Sequence, residues 1–441
     1  METIDLLIDA RWIIPVNPAG RVLENHSVAV REGRIVAVLP SALAQDSYRA
    51  SEQISLAAHA LIPGLVNLHA HAAMTLLRGW ADDMPLAQWS RDRIGPAEAL
   101  HLSPQFVYDG TLLACAEMLR GGITCFNDMY FYPAEAARAA LDMGMRAALG
   151  MMVIDAPTAY ATDADDYVAK GLSLRDALRG QPLLSFCMAP HSPDKLSDRT
   201  FSRLITLAEE LDLPVHMHVH ESRDEIERSL ATHGLRPLER LRRLGLVGPN
   251  LIAVHAVHLT HDEIELLAKN GSSVAHCPTS NMKLAHGFAP TTQMLARGIT
   301  VGLGTDGSAS NNRLDLLQEM RAAALIGKTL TSDAGALPAE RALAMATLDG
   351  ARALRLDHAI GSIEPGKFAD LTAIEFSAPE MLPCYDPISH IVYTAGRENV
   401  SHTWVAGRML LENHRLNPPP KNDLENLARL WQNRLSTKTK A

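Results

Sequence analysis

The spacing of apolar and polar positions divides the chain into three stretches. Residues 4–58 contain short apolar runs at 4–8, 12–16, 27–31 and 34–39, separated by turn sequences such as Asn-Pro-Ala-Gly at 17–20, which predicts short β-strands. Similar β-like sequence returns over residues 361–413 and is followed by a polar, helix-prone tail from Lys421. We expect these terminal stretches to form one small β unit together.

The central stretch has a different period. Short apolar runs lie at 61–69, 123–129, 146–154, 183–189, 213–219, 251–259, 273–277 and 300–303, and helix-like segments such as 111–120, 134–143 and 199–211 lie between them. The runs show little alternation, which is typical of strands buried on both faces. Eight such units predict a (β/α)8 TIM-like barrel. We therefore predict a barrel over residues 60–360 and a small β-sandwich domain, with a C-terminal helical tail, from residues 1–59 plus 361–441.

Composition and charge exclude several classes of protein. The net charge of −9 argues against nucleic-acid binding, which needs a basic surface. The five cysteines are scattered and none forms a C-x-x-C pair, as expected for reduced thiols. The N-terminus is acidic, and the longest apolar segment, at 147–154, is too short to cross a bilayer. We expect a cytoplasmic protein without nucleic-acid or membrane partners.

The chain has 19 histidines, and several of them cluster at the ends of predicted strands. Strand 1 ends in His69-Ala-His71, strand 5 in HMHVHE at 216–221, and strand 8 in Gly304-Thr-Asp306, while strand 6 carries His255 and His258. The carboxyl ends of barrel strands meet at one face, and both histidines of an H-x-H pair point to the same side of a strand. Imidazole and carboxylate groups together suit a borderline cation such as Zn²⁺. The pattern therefore predicts a metal site.

Not every histidine is needed for such a site. His216, His218 and His220 share one face of strand 5, and only one of them need bind metal. We interpret His216 as a packing residue and His220 as part of the site wall. Five further histidines have no partner pattern and are assigned no role: His233, His261, His286, His358 and His414.

Several motifs resemble those of a known family. PGLVNLHAH at 63–71 is similar to the strand-1 signature of the amidohydrolase superfamily. APHSP at 189–193, GTDGSASNN at 304–312 and SIEPGKFADL at 362–371 resemble a narrower branch, the 5′-methylthioadenosine/S-adenosylhomocysteine deaminases and the related triazine hydrolases. The resemblance covers nearly the whole chain.

The resemblance implies a ligand set and catalytic roles. One divalent metal, Zn²⁺ by default with Fe²⁺ or Mn²⁺ as alternatives, would be held by His69, His71, His218 and Asp306. One metal is implied because strand 4 lacks the lysine that bridges two metals in dinuclear relatives. As catalytic residues, Asp306 would accept a proton from the attacking water, His255 would stabilise the tetrahedral centre, and Glu221 would carry protons to the ring nitrogen and the leaving amine.

The same resemblance points to an adenine nucleoside as the small-molecule substrate. Trp89, Glu98 and His191 match residues that border the nucleoside, with Glu98 and His191 reaching the ribose. We favour 5′-methylthioadenosine over S-adenosylhomocysteine and adenosine, because Asp194 and Lys195 depart from the family's usual tyrosine and threonine. The alternatives are another aminoazine (guanine, a pterin or a triazine) and, more remotely, a non-catalytic barrel used for assembly. The resemblance also implies a homo-oligomer.

Overall fold

The computed structural model describes residues 1–438 and contains two eight-stranded sheets. Residues 439–441, which the predicted small domain includes, lie outside the described residues. In chain order the strands are β1 (Glu2–Ile13), β2 (Leu23–Arg31), β3 (Arg34–Pro40), β4 (Tyr48–Pro63), β5 (Leu65–Ala70), β6 (Ile123–Asp128), β7 (Arg146–Val153), β8 (Leu184–Pro190), β9 (Val215–Val219), β10 (Leu251–His255), β11 (Ser273–His276), β12 (Thr300–Leu303), β13 (Leu371–Glu375), β14 (Val400–Val405), β15 (Arg408–Glu412) and β16 (Arg415–Leu416).

The α-helices follow most of these strands. In chain order they are α1 (Ser41–Ser47), α2 (Leu86–Gln88), α3 (Gly95–His101), α4 (Pro104–Arg120), α5 (Pro133–Met143), α6 (Ala164–Leu178), α7 (Asp198–Glu210), α8 (Arg223–His233), α9 (Pro237–Leu244), α10 (His261–Lys269), α11 (Pro278–Lys283), α12 (Thr291–Ala296), α13 (Leu316–Thr331), α14 (Ala339–Met345), α15 (Leu348–Ala353), α16 (Pro387–Tyr393) and α17 (Leu424–Lys438). Capping residues fix where some of these helices begin and end. Thr260 and Glu263 form a capping box at the start of α10, and Gly144 ends α5 with a φ of 69°.

The second sheet confirms the predicted barrel. Its strands follow one another from β5 to β12 in chain order, with helices between them. The two ends of the sheet meet where the backbone N–H of Asp306, just after β12, donates to the carbonyl of His69 in β5 at 3.0 Å. Every residue of β6, β7, β9, β10 and β11 is buried, which explains the lack of alternation in their sequences.

The first sheet combines both ends of the chain, in the order β16-β15-β14-β13-β4-β1-β2-β3. Val30 of β2, Leu56 of β4 and Trp404 of β14 belong to one buried cluster, so the sheet folds around a common core. The run at 4–8 and the first two residues of the run at 12–16 lie in the single strand β1 rather than in two strands. Strand β4 was not predicted, because its first half is polar and largely exposed and is recruited by pairing with β1.

The contacts within the chain define two compact units. One comprises Met1–Asn67, Ala116–Cys125 and Asp315–Pro420, and the other comprises Leu68–Cys115, Phe126–Leu314 and the chain from Lys421. The domain boundaries drawn from the sequence remain a prediction. No helix within residues 1–438 combines the length and apolar character that crossing a bilayer requires.

Candidate metal centre and active site

Five predicted site residues converge at the carboxyl ends of the barrel strands. His69 comes from β5 and His71 follows its end, His218 comes from β9 and His255 from β10, and Asp306 follows β12. Asp306 Oδ1 lies 3.3 Å from His69 Nε2 and 3.2 Å from His71 Nε2. Two sets of these side chains each bring their ligand atoms within 4.8 Å of one another: His69 with His218 and His255, and His69 with His71 and Asp306.

Hydrogen bonds hold the Asp306 carboxylate in place. Its Oδ2 accepts from the hydroxyls of Ser280 at 2.6 Å and Ser310 at 2.7 Å, and its Oδ1 accepts from the backbone N–H of Gly307 at 2.8 Å. Burial acts to raise the pKa of Asp306, but the two neighbouring imidazoles outweigh burial and hold this pKa well below its usual range. The group is therefore a carboxylate whose Oδ1 faces both imidazoles.

A glycine allows β12 to approach β5 at this point. A side chain on Gly304 would place its Cβ 2.8 Å from His69 Cβ and 3.0 Å from Cys277 Sγ. Real Cβ atoms essentially never have contacts under 3.0 Å, so a side chain here would force His69 or the backbone to shift. The glycine two residues before Asp306 thus lets the end of β12 pack directly against the strand that carries His69.

Main-chain carbonyls orient two of the imidazoles. His71 Nδ1 lies 2.6 Å from the carbonyl oxygen of Met129, and His218 Nδ1 lies 2.7 Å from the carbonyl oxygen of His191. The hydrogen bond and charge of Asp306 outweigh burial and raise the pKa of His71 to about 9, so His71 would give up one proton when a cation binds. A carbonyl only accepts, so Nδ1 keeps its proton in each ring, and the neutral ring has its lone pair on Nε2. That is the tautomer an imidazole needs in order to bind a cation through Nε2.

Side chains orient the other two imidazoles. His69 Nδ1 lies 2.9 Å from His216 Nε2, and His255 Nδ1 lies 2.9 Å from Asn281 Oδ1. His216 and Asn281 were not recognised as site residues from the sequence. His216 was interpreted as a packing residue, although the strand face that it shares with His218 could have indicated a place in the site. Asn281 lies in α11, and no sequence motif marks it.

The residues present fit a divalent cation. His69 Nε2 is fully buried and has no hydrogen-bond partner of good geometry among residues 1–438. Burial lowers the pKa of His69 to about 3, which keeps the imidazole neutral. Neutral imidazoles around a carboxylate oxygen are the donor set that Zn²⁺ and similar ions take in proteins.

Glu221 lies beside this centre, just after β9. Its Oε1 is 3.8 Å from His255 Nε2 and 3.6 Å from His286 Nδ1, and burial raises its pKa. The backbone N–H groups of Glu221 and His220 donate to the carboxyl oxygens of Glu225 at 2.8 and 3.1 Å, which fixes the chain after β9. His286 was assigned no role from the sequence, yet it contacts the predicted acid/base.

His220 was interpreted as part of the site wall. Its ring is fully buried, and Nε2 accepts from the backbone N–H of Leu238 at 3.1 Å. Its Nδ1 lies 3.3 Å from the carbonyl oxygen of His258 and 3.6 Å from Glu263 Oε2, so the ring contacts the start of α9, the loop after β10 and α10.

The residues predicted to border a nucleoside are less closely grouped. His191 follows β8, and its ring centroid is 4.8 Å from that of His218. Glu98 lies in α3 and accepts a hydrogen bond of 2.6 Å from the hydroxyl of Tyr130, whose ring is 6.4 Å from that of His71. Trp89 is buried at the start of the short π-helical segment Trp89–Ile94. In the part of the chain that the structure describes, no hydrogen bond or ring contact joins Trp89 to the histidines.

Comparison with known proteins agrees with this geometry. The model of the Amidohydrolase family matches residues 60–410. A protein from Teredinibacter turnerae named 5-methylthioadenosine/S-adenosylhomocysteine deaminase is 44% identical over 436 residues, which are 99% of this chain and 99% of that protein. The crystal structure of an adenosine deaminase from Xanthomonas campestris with bound zinc matches with a TM-score of 0.98 and 47% identity, covering 99% of both chains.

A more distant structure is also similar. The crystal structure of an atrazine chlorohydrolase from Arthrobacter aurescens, complexed with zinc, has a TM-score of 0.88 and 25% identity over 98% of this chain and all of that one (100%). These findings confirm the family resemblance drawn from the motifs at residues 63–71, 189–193 and 304–312. The chain belongs to the amidohydrolase family.

Proposed function

We propose that this protein is a metal-dependent hydrolase that deaminates an adenine nucleoside, with 5′-methylthioadenosine as the favoured substrate, giving the inosine analogue and ammonia. The observation that carries the proposal is the convergence of His69, His71, His218 and Asp306 with Glu221 and His255 placed beside them. The relatives' names support it, because they describe deaminases of this nucleoside class along almost the full length of the chain. S-Adenosylhomocysteine and adenosine are the other candidate substrates.

One divalent metal per subunit completes the proposal. His69, His71, His218 and Asp306 would hold it, and Zn²⁺ is favoured because the Xanthomonas campestris structure contains zinc. A single ion is favoured because β8, the fourth barrel strand, has the sequence LSFCMAP and offers no bridging lysine. When bound, such an ion lowers the pKa of a water molecule and so supplies a nucleophile at neutral pH.

The protein's own groups would move the protons. Hydrolytic deamination forms a bond between a water oxygen and the amine-bearing ring carbon, and it breaks the bond from that carbon to the amine. Asp306 would accept the proton that the water loses, and His255 would stabilise charge on the attacking oxygen and the tetrahedral centre. Glu221 would protonate the ring nitrogen, take the proton of the new hydroxyl as the carbonyl forms, and pass that proton to the amine, which leaves as ammonia. The proton held by Asp306 would then restore the acid form of Glu221.

The ribose would be recognised by Glu98 and His191, with Trp89 bordering the nucleoside. A carboxylate can accept hydrogen bonds from both hydroxyls of a vicinal diol. The Tyr130 hydroxyl already fixes one oxygen of Glu98, which holds the carboxyl in one orientation. Glu98 also lies in the first turn of α3, where an acidic residue stabilises a helix without binding any ligand, so the assignment needs a direct test.

Metal analysis combined with an ultraviolet assay tests the reaction and the substrate. The purified enzyme should contain about one equivalent of metal and should deaminate 5′-methylthioadenosine faster than S-adenosylhomocysteine, adenosine, guanine, a pterin or an aminotriazine. Faster turnover of one of the last three would replace the nucleoside proposal with the aminoazine alternative. Loss of metal without loss of activity, or no ammonia release from any compound, would overturn the proposed chemistry.

Replacing Glu98 by alanine tests the ribose contact. Glu98→Ala should reduce kcat/KM for the nucleoside by about 10–100-fold, the worth of hydrogen bonds to a charged group, and should leave turnover of free adenine almost unchanged. Tyr130→Phe is the matched control, because it removes the hydroxyl partner of Glu98 and keeps the carboxylate. Equal losses on nucleoside and free base would remove Glu98 from the ribose site.

A further inference from the structure

His286 is a buried histidine that the proposed chemistry does not yet use. It lies between α11 and α12, and its side chain is 5% exposed. Its backbone N–H donates to the carbonyl of Asn281 at 2.9 Å, and the side chain of the same Asn281 contacts His255 Nδ1. The loop that carries His286 is thus anchored to the residue that orients His255.

Both ring nitrogens of His286 lack a hydrogen-bond partner among the described residues, although both are buried. A buried polar atom left unpaired is costly, and an imidazole kept only for packing would be expected to pair or to be replaced by an apolar side chain. Burial lowers the pKa of His286 to about 4, so the ring is neutral and carries one N–H donor and one acceptor. The unused donor and acceptor indicate a functional contact.

The predicted acid/base lies beside this ring. Nδ1 of His286 lies 3.6 Å from Oε1 of Glu221, and Nε2 of His255 lies 3.8 Å from the same oxygen. Two imidazoles therefore flank one carboxyl oxygen, one from the last residue of β10 and the other from the loop between α11 and α12. At 3.6 Å a small rotation of either side chain would bring Nδ1 within hydrogen-bond distance.

We propose that His286 is a positioning residue that donates a hydrogen bond from Nδ1 to Glu221 and holds this carboxyl in the orientation that faces the bound base. The proposal rests on the proposed function, because it takes Glu221 as the proton carrier. His286 does not bind the metal and does not exchange protons with the substrate. The hydrogen bond increases the fraction of molecules in which Glu221 is correctly oriented. It therefore acts on the chemical step and not on nucleoside binding.

The test compares three substitutions at one position. Asparagine can place an amide N–H near the position of Nδ1, glutamine places it near Nε2, and leucine removes the donor while keeping a similar volume. His286→Leu and His286→Gln should lower kcat by about 10–100-fold with a small change in KM, and His286→Asn should recover most of the loss. Metal content should stay at the wild-type value in all three. His402→Leu, which removes a buried imidazole from β14 in the first sheet, is the matched control and should retain wild-type kcat.

A double-mutant cycle separates this proposal from the proposed function. In a Glu221→Gln background, His286→Leu should cause little further loss, because the histidine acts only through that carboxylate. A full additional loss in this background, wild-type kcat for His286→Leu, or equal kcat for the asparagine and glutamine variants would each overturn the positioning role. If Glu221→Gln itself turns over at the wild-type rate, the acid/base assignment fails, whatever the His286 variants do. If His286→Leu does not fold, the contrast between asparagine and glutamine still decides the question.

Discussion

The contact between His69 and His216 allows a quantitative prediction about metal binding. His69 is proposed to bind the ion through Nε2, so its Nδ1 must carry the proton that it donates to His216 Nε2 at 2.9 Å. His216 must then be neutral and protonated on Nδ1, and burial lowers the pKa of His216 well below its usual value, which keeps it neutral. Substitution of His216 by leucine removes the acceptor and leaves the donor of His69 unpaired.

The size of the effect follows from the burial of this pair. Neither histidine is measurably exposed, so water cannot replace the lost acceptor. Loss of such an outer partner weakens metal binding by about 10–100-fold in comparable sites. This corresponds to about 1.4–2.8 kcal/mol of binding free energy. His216→Gln keeps an acceptor oxygen, and we expect it to lose at most a few-fold.

The assay is competition of the metal-free protein with a zinc chelator of known affinity. It should be run on wild type, His216→Leu, His216→Gln and the control His402→Leu, which removes a buried imidazole from the other sheet. Thermal unfolding of the metal-free forms shows whether each variant retains the fold. Wild-type zinc affinity for a folded His216→Leu would refute the reasoning, because it would mean that the orientation of His69 does not depend on its partner.

Two further predictions concern the acid/base and the pH dependence of stability. Glu221→Gln should retain metal and lower kcat by about 10²–10⁴-fold in the nucleoside assay, the usual worth of general acid–base catalysis, and a wild-type rate would remove Glu221 from the chemistry. Burial, aided by the charge of the neighbouring His59, lowers the pKa of His402 to about 4. In the unfolded chain the His402 side chain is protonated near pH 6.5, and in the folded protein only near pH 4. Stability is therefore lost as the pH falls from about 6.5 to about 4. Urea unfolding at pH 7 and pH 5 should show a smaller loss for His402→Leu than for wild type, and equal losses would contradict the assignment.

The barrel and its metal-type residues could be predicted because both depend on strand geometry. Eight apolar runs alternating with helices define the order of β5 to β12. In a parallel barrel this order places the ends of all strands at one face. His69, His71, His218 and Asp306 occupy such ends, so their convergence followed from positions in the sequence alone. Their exact roles as ligands remain a prediction.

Residues placed by loops could not be predicted in the same way. Asn281 and His286 follow β11 in and beyond a short helix, where no periodicity indicates which direction a side chain points. His216 could have been found, since it shares a strand face with His218, but sequence alone does not separate a packing imidazole from one that orients a ligand. Strand β4 was missed for a related reason, because its exposed first half is set by pairing with β1 and not by an apolar pattern.

The backbone at the strand ends shows how the chain prepares this site. His220, His255 and Asp306 all have positive φ values, of 55°, 69° and 60°, and each stands at the point where a barrel strand gives way to a loop. Such conformations are unfavourable for residues other than glycine and persist only where the surroundings enforce them. The surroundings do so here through hydrogen bonds that backbone N–H groups donate, from Asp306 to the His69 carbonyl at 3.0 Å and from His220 to the Glu225 side-chain carboxyl at 3.1 Å. The barrel therefore holds the turns that aim these side chains by its own hydrogen bonds, and a cation would enter a site whose geometry the protein has already set.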